Sequence, residues 1–236
     1  MGGSGMLITG RDEQMLEWLG VVRVADMDAL RFALAAFSRA AEPVSLRRAQ
    51  QWVARQRGVG LVDRARPALR DGSIVWATPQ AVGRPAPKLL QQTTRHEVAV
   101  AATSARYLFH GWDWHRDRKA TGLYDHQADG VATRGAEVRL VEVELTPKTL
   151  DRYNGICTSH AWRMANEGVT RVDYLCTDDA ARTVSREADK WIFRGDRARL
   201  VAHPAFDERG VWTDVPDAFW DRPVVDSPRE LTTRLF

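Results

Sequence analysis

Asp129, Glu142, Glu144 and Lys148 have the types and spacing that point to chemistry. Glu142 and Glu144 stand two apart in the run 138–145, which reads as a β-strand. Successive side chains of a strand point to opposite faces, so Val141, Val143 and Leu145 share one face and the two glutamates the other. Adjacent carboxylates repel unless a cation, a basic partner or a shared proton relieves them. Asp129 precedes this strand by one short turn through Arg134-Gly135-Ala136, so a hairpin would bring it near Glu142. Three converging acids form an oxygen-ligand site for a hard cation such as Mg²⁺. The other reading is a solvated strand face whose acids pair with Arg139 and Lys148.

These residues need a scaffold, and the spacing supplies one. A helix over about 94–109 is followed by strand-like runs at 112–116, 130–133 and 138–146. A helix from Pro147 and Thr149 to about Asn166 places Leu150, Tyr153, Ile156, Cys157, His160 and Met164 near one face, with Trp162 read into the same helix core. A strand at 171–177, a helix at 180–191 and a last strand at 198–202 complete a helix-covered sheet, an α/β or α+β layout. Arg95-His96-Glu97 opens the first helix, and Glu97 adds a further acid.

Ahead of this body lies a basic region. Residues 43–70 hold seven arginines and one acid, Asp63, although net charge over the 236 residues is only +3. Thr9 caps a helix over 11–22, and Asp26 or Asp28 starts a second. Ser45 caps a third, 46–57, with an apolar stripe of Leu46, Ala49 and Val53. Two short strands at 61–65 and 73–78 follow. Three helices and a hairpin make the winged helix-turn-helix pattern. The third helix would read a duplex with Arg47, Arg48, Gln50, Gln51 and Arg55, and the wing would set Arg64, Arg66 and Arg70 on the backbone. The expected divisions are a winged helix at 6–81, a linker at 82–93, the α/β body at 94–202 and an acidic Pro- and Trp-containing tail at 203–236. The tryptophans of the tail favour docking, on the body, a second copy or a replication partner.

Several classes are set aside. No apolar run reaches the ~20 residues of a membrane span, and a cytoplasmic protein is expected. Residues 1–5 read as a leader outside the fold. Cys157 and Cys176 have no zinc spacing and read as buried free thiols. His96, His110, His115, His126, His160 and His203 show no ligand spacing either, which argues against zinc. Glycine-rich phosphate loops and a nucleophile elbow are absent from the sequence.

The order of a winged helix, Arg95-His-Glu-Val-Ala-Val100, Ala128-Asp-Gly130, Val141-Glu-Val-Glu-Leu-Thr-Pro-Lys148 and Arg152-Tyr-Asn-Gly-Ile156 resembles the replication-relaxation family of plasmids and integrative elements, over roughly residues 7–200. The second half resembles the PD-(D/E)XK nuclease fold, an αβββαβ core. That resemblance implies Asp129 and Glu142 as metal-binding acids, with the Val143 carbonyl, and Mg²⁺ or Mn²⁺ as cofactor of an active site. The position of the family lysine is Glu144 here, leaving Lys148 to supply the cation and Glu144 to serve as extra ligand or general base. The functions this resemblance implies are duplex DNA binding, with no cofactor, or metal-dependent DNA cleavage; a third reading, from the acidic Trp-containing tail as a contact, is a protein-interaction adaptor.

Overall fold

The computed structural model describes residues 8–67, 72–91, 93–122 and 125–221. Helix α1 (Gly10–Val22) starts at a capping box between Thr9 and Asp12. The two-residue strand β1 (Ala25–Asp26) leads into α2 (Met27–Phe37), whose first turn is capped by Asp26 accepting from Ala29 N–H. Helix α3 (Leu46–Gly58) begins at Ser45, and the antiparallel pair β2 (Val62–Ala65) and β3 (Ile74–Ala77) follows. β3 lies between β1 and β2 in a three-stranded sheet. A single turn, α4 (Pro79–Val82), leads to α5 (Thr94–Phe109).

The second sheet has the order β4-β5-β6-β7-β8. Strands β4 (Asp113–His115), β5 (Gly130–Arg134) and β6 (Glu137–Glu144) form an antiparallel meander. Helix α6 (Leu150–Asn166) then crosses to β7 (Arg171–Thr177), parallel to β6, and α7 (Asp178–Trp191) crosses to β8 (Leu200–Phe206). Residues after β8 fold back through Trp212 to the short helix α8 (Ala218–Asp221). The fold is mixed α/β, as the periodicities indicate. No helix of the described residues is long and apolar enough to cross a membrane.

Both faces of the second sheet are covered. α6 and α7 pack Tyr153, Cys157, Met164 and Val184 against Leu140, Val172, Tyr174 and Cys176. α5, the N-terminal helices and the returning tail cover Val141, Val143 and Leu175 on the other face. Helix α5 is buried on nearly all sides, as suits a helix packed between two layers. The two cysteines are buried and unpaired, and burial pushes the Cys157 thiol up to about 11.

Three expectations fail at single residues. Leu46 is exposed, and Trp52 and Gln56 join Ala49 and Val53 on the buried side of α3. Leu150 and Trp162 are also exposed. Leu46 and Leu150 are the first residues of their helices, where the sheet or neighbouring helix has not yet closed over the chain. Trp162 stands two residues beyond His160 and so faces away from the buried stripe of α6.

Candidate functional site

The acidic strand is not a solvated face. Glu142 and Glu144 are 3% and 2% exposed, because α6 lies over the side of β6 that they occupy. Burying a carboxylate is costly without partners, and each has them. Glu144 accepts from the Tyr153 hydroxyl, from Lys148 N–H (3.3 Å) and from the Lys148 ammonium. Glu142 Oε1 lies 2.8 Å from His126 Nε2 and 3.2 Å from His160 Nε2. Arg139, on the opposite face, pairs with Glu137 and Asp173 and takes no part.

The hairpin places Asp129 beside this strand, one residue before the Gly130–Val141 pair. Its Oδ2 accepts from Val143 N–H (2.8 Å), and its Oδ1 lies 2.8 Å from His96 Nε2. Helix α5 therefore delivers His96, and Glu97 makes no hydrogen bond or ion pair with these residues. Asp129, Glu142, Glu144 and Lys148, named from the sequence, gather at one end of β5 and β6.

The electrostatics follow from these contacts. Burial alone would lower His96 and His126, but their bonds to Asp129 and Glu142 outweigh it and leave both raised. Burial raises Glu142, yet the two imidazoles outweigh that and hold its carboxyl below the ordinary range. His160 is fully enclosed, and burial there wins over Glu142, so its pKa is lowered. Burial also opposes the Lys148 charge, but Glu144, Glu142 and Asp129 together raise its pKa. The cluster thus alternates carboxylates with cationic or protonatable groups.

His126, Glu142 and His160 offer ligand atoms that all lie within 4.8 Å of one another. Asp129 is outside that group, its oxygens turned to His96 and Val143. The histidine spacing in sequence gave no sign of this. The signals were a histidine three residues before Asp129, a histidine on the apolar stripe of α6, and a histidine in the first turn of α5. Around Glu142 the donor set is two nitrogens and one oxygen, richer in nitrogen than the all-oxygen set Mg²⁺ prefers. The oxygen donors implied for Mg²⁺ or Mn²⁺, Asp129 and Glu142, both carry imidazoles here.

The basic face is a second candidate surface. Arg47, Arg48, Gln50 and Gln51 are exposed on α3, opposite the buried Ala49, Trp52, Val53 and Gln56. Arg55 is drawn inward to the buried Asp12, which also accepts from Trp52 Nε1 at 2.8 Å. Arg64 and Arg66 are exposed on β2 and just beyond it, and Arg70 lies outside the described residues. Arg11 of α1, absent from the sequence expectation, joins Arg48, Gln51 and Arg55 in lining a groove of about 410 Å³.

No family model matches the chain, and neither the curated proteins nor the solved structures include a significant match.

Proposed function

We propose that the chain binds duplex DNA, with α3 in the major groove and the β2–β3 hairpin on the backbone, as a replication-relaxation type protein of a plasmid or other mobile element. The observation that carries this reading is the exposed row Arg47, Arg48, Gln50 and Gln51 on a helix whose far side is locked by Trp52 and Val53. Arginines on such a row bind phosphates or guanine edges, and glutamines match adenine edges. The helix order and the β1-β3-β2 sheet support a winged helix-turn-helix as the carrier.

A second reading, a Mg²⁺- or Mn²⁺-dependent endonuclease or nickase of the PD-(D/E)XK type, is favoured by one further observation. Asp129 approaches β6 across the hairpin while Lys148 folds back onto Glu144, within an α5-β4-β5-β6-α6-β7 order. A hard cation, when bound, would supply polarisation of the phosphate and activation of water. Asp129 and Glu142 would offer it oxygens, and Lys148 would hold positive charge near the phosphate.

One set of assays separates the readings. Anisotropy with labelled duplex DNA should show binding that weakens steeply with salt. Arg47→Ala plus Arg48→Ala should weaken it and flatten the slope of log K against log salt by about 2, at roughly 0.9 per phosphate contact. No duplex binding at ~50 mM salt would reject the DNA reading and favour a protein-interaction adaptor. Nicking of supercoiled plasmid with Mg²⁺ or Mn²⁺, lost in Asp129→Ala while duplex binding persists, is the result expected of the second reading; no nicking by the wild type rejects it.

A further inference from the structure

His126, Glu142 and His160 come from three different elements: the loop before β5, the strand β6 and the helix α6. The loop is pinned for the purpose. His126 N–H donates to Ser159 Oγ (3.0 Å), beside His160. Arg163 of α6 grips Asp117 through two bonds of 2.6 and 2.9 Å, and Asp117 Oδ2 also accepts from Ala128 N–H at 2.8 Å. Asp117 and Arg163 are both buried, so the loop holding His126 is clamped to the helix holding His160 by a desolvated bidentate ion pair.

Tetrahedral donors around a metal at ordinary Zn–N and Zn–O lengths sit about 3.3 Å apart. The nitrogens stand 2.8 and 3.2 Å from Glu142 Oε1 and all three donors lie within 4.8 Å of one another, so the two imidazoles must draw together to share one ion. His160 Nε2 lies 3.2 Å from Glu142 Oε1 and 3.1 Å from the Tyr174 hydroxyl, while its Nδ1 is buried with no hydrogen-bond partner, so Nδ1 sets no tautomer. With the ring proton on Nδ1, the Nε2 lone pair is open to a cation, which would take the place of the hydrogen bond to the Tyr174 hydroxyl. Glu142 and His160 are closed off, whereas the His126 side chain is 23% exposed, which leaves the outward position for water or a phosphate oxygen.

We infer that His126, Glu142 and His160 form a binding site for a borderline divalent transition metal of the Zn²⁺ class, with Mg²⁺ disfavoured. Two imidazoles and one carboxylate with an open position are the donor set such ions take. The inference shares only Glu142 with the cleavage reading and stands on the two imidazoles beside it. Neither DNA binding nor cutting enters its test.

The metal-free full-length protein is titrated with Zn²⁺, and with Co²⁺ as a spectroscopic probe, in the absence of DNA. The expected result is one equivalent bound, a rise in Tm of several degrees and visible Co²⁺ d–d absorption. His126→Ala should weaken binding at least about tenfold, whereas His115→Ala, at an exposed histidine of β4, and Arg47→Ala plus Arg48→Ala should bind as the wild type does. X-ray absorption of the Zn²⁺-loaded wild type, which needs no variant, should show two imidazoles. The inference is overturned by no binding up to millimolar Zn²⁺ and Co²⁺, by binding unchanged in His126→Ala, by one imidazole or none at the metal, or by stabilisation from Mg²⁺ alone.

Discussion

Asp12 shows how one buried charge organises the basic helix. It is wholly enclosed, and it accepts from Thr9 N–H (3.0 Å), Thr9 Oγ (2.7 Å), Trp52 Nε1 (2.8 Å) and the Arg55 guanidinium. Burial alone would raise its pKa, but these donors outweigh it and hold the carboxyl below its ordinary value. With the folded pKa below the unfolded one, the unfolded chain takes up the proton first as pH falls. The stabilisation is therefore present above pH ~4 and lost as pH drops through the folded value. Asp12→Asn keeps the shape and removes the charge, leaving Arg55 and Thr9 N–H poorly matched. It should cost about 2–3 kcal/mol at pH 7, since Arg55 keeps partial access to water. Urea denaturation at pH 7 and at pH 3 checks this, because the gap from the wild type should shrink at the lower pH. Equal stability at pH 7 would mean that the Asp12 contacts contribute nothing. The same contacts explain why Arg55 is half-buried, whereas periodicity alone places it with the free row of α3.

The hairpin β5–β6 is the element on which the pocket depends, and Gly130 is its tightest point. A Cβ added at Gly130 would run into the six-membered ring of Trp114 on the neighbouring strand β4. That ring is rigid and packed against Tyr107, with centroids 5.6 Å apart, so it has little room to yield. Gly130→Ala should force β4 away from β5 and cost roughly 1–3 kcal/mol as an overpacking change. It should also displace the adjacent Asp129 from Val143 N–H. Thermal melts and the amide resonance of Val143 read the two effects separately; a melt and a Val143 shift like those of the wild type would show that Trp114 moves freely. Much of this element was legible: the hairpin, the long helix after Pro147 and the strand Arg171–Thr177 follow from period and punctuation. The burial of Glu142 and Glu144 was not. Alternation says which residues share a face, while the covering of that face depends on α6 crossing over β6 to reach β7. The histidines were missed for the same reason, since His126 and His160 are 34 residues apart and meet only through that crossover.

At the scale of the molecule, the N-terminal helices and the second sheet share one core. Met15, Leu19 and Leu30 join Val100, Tyr107 and Val141 in a single buried cluster. Polar contacts cross the same boundary: Trp18 Nε1 donates to Ser104 Oγ at 3.0 Å, and Arg106 Nη2 to Asp28 Oδ2 at 2.7 Å. The returning tail closes the other side of this core. Trp220 stacks on His110 at 4.1 Å, and its carbonyl accepts from Arg134 Nη2 at 3.0 Å, while Phe219 and Trp220 both pack on Tyr107. A core shared in this way couples the two halves energetically, in contrast to domains joined only by a linker. Trp220→Ala should therefore cost about 3–5 kcal/mol, the usual cost of removing a large buried aromatic, and should lower the unfolding of the helices α1–α3 together with that of the sheet. Hydrogen exchange at the α2 and β7 amides follows the two parts separately. If α2 keeps its wild-type protection in Trp220→Ala while β7 loses its own, the halves unfold independently and the shared core does not couple them.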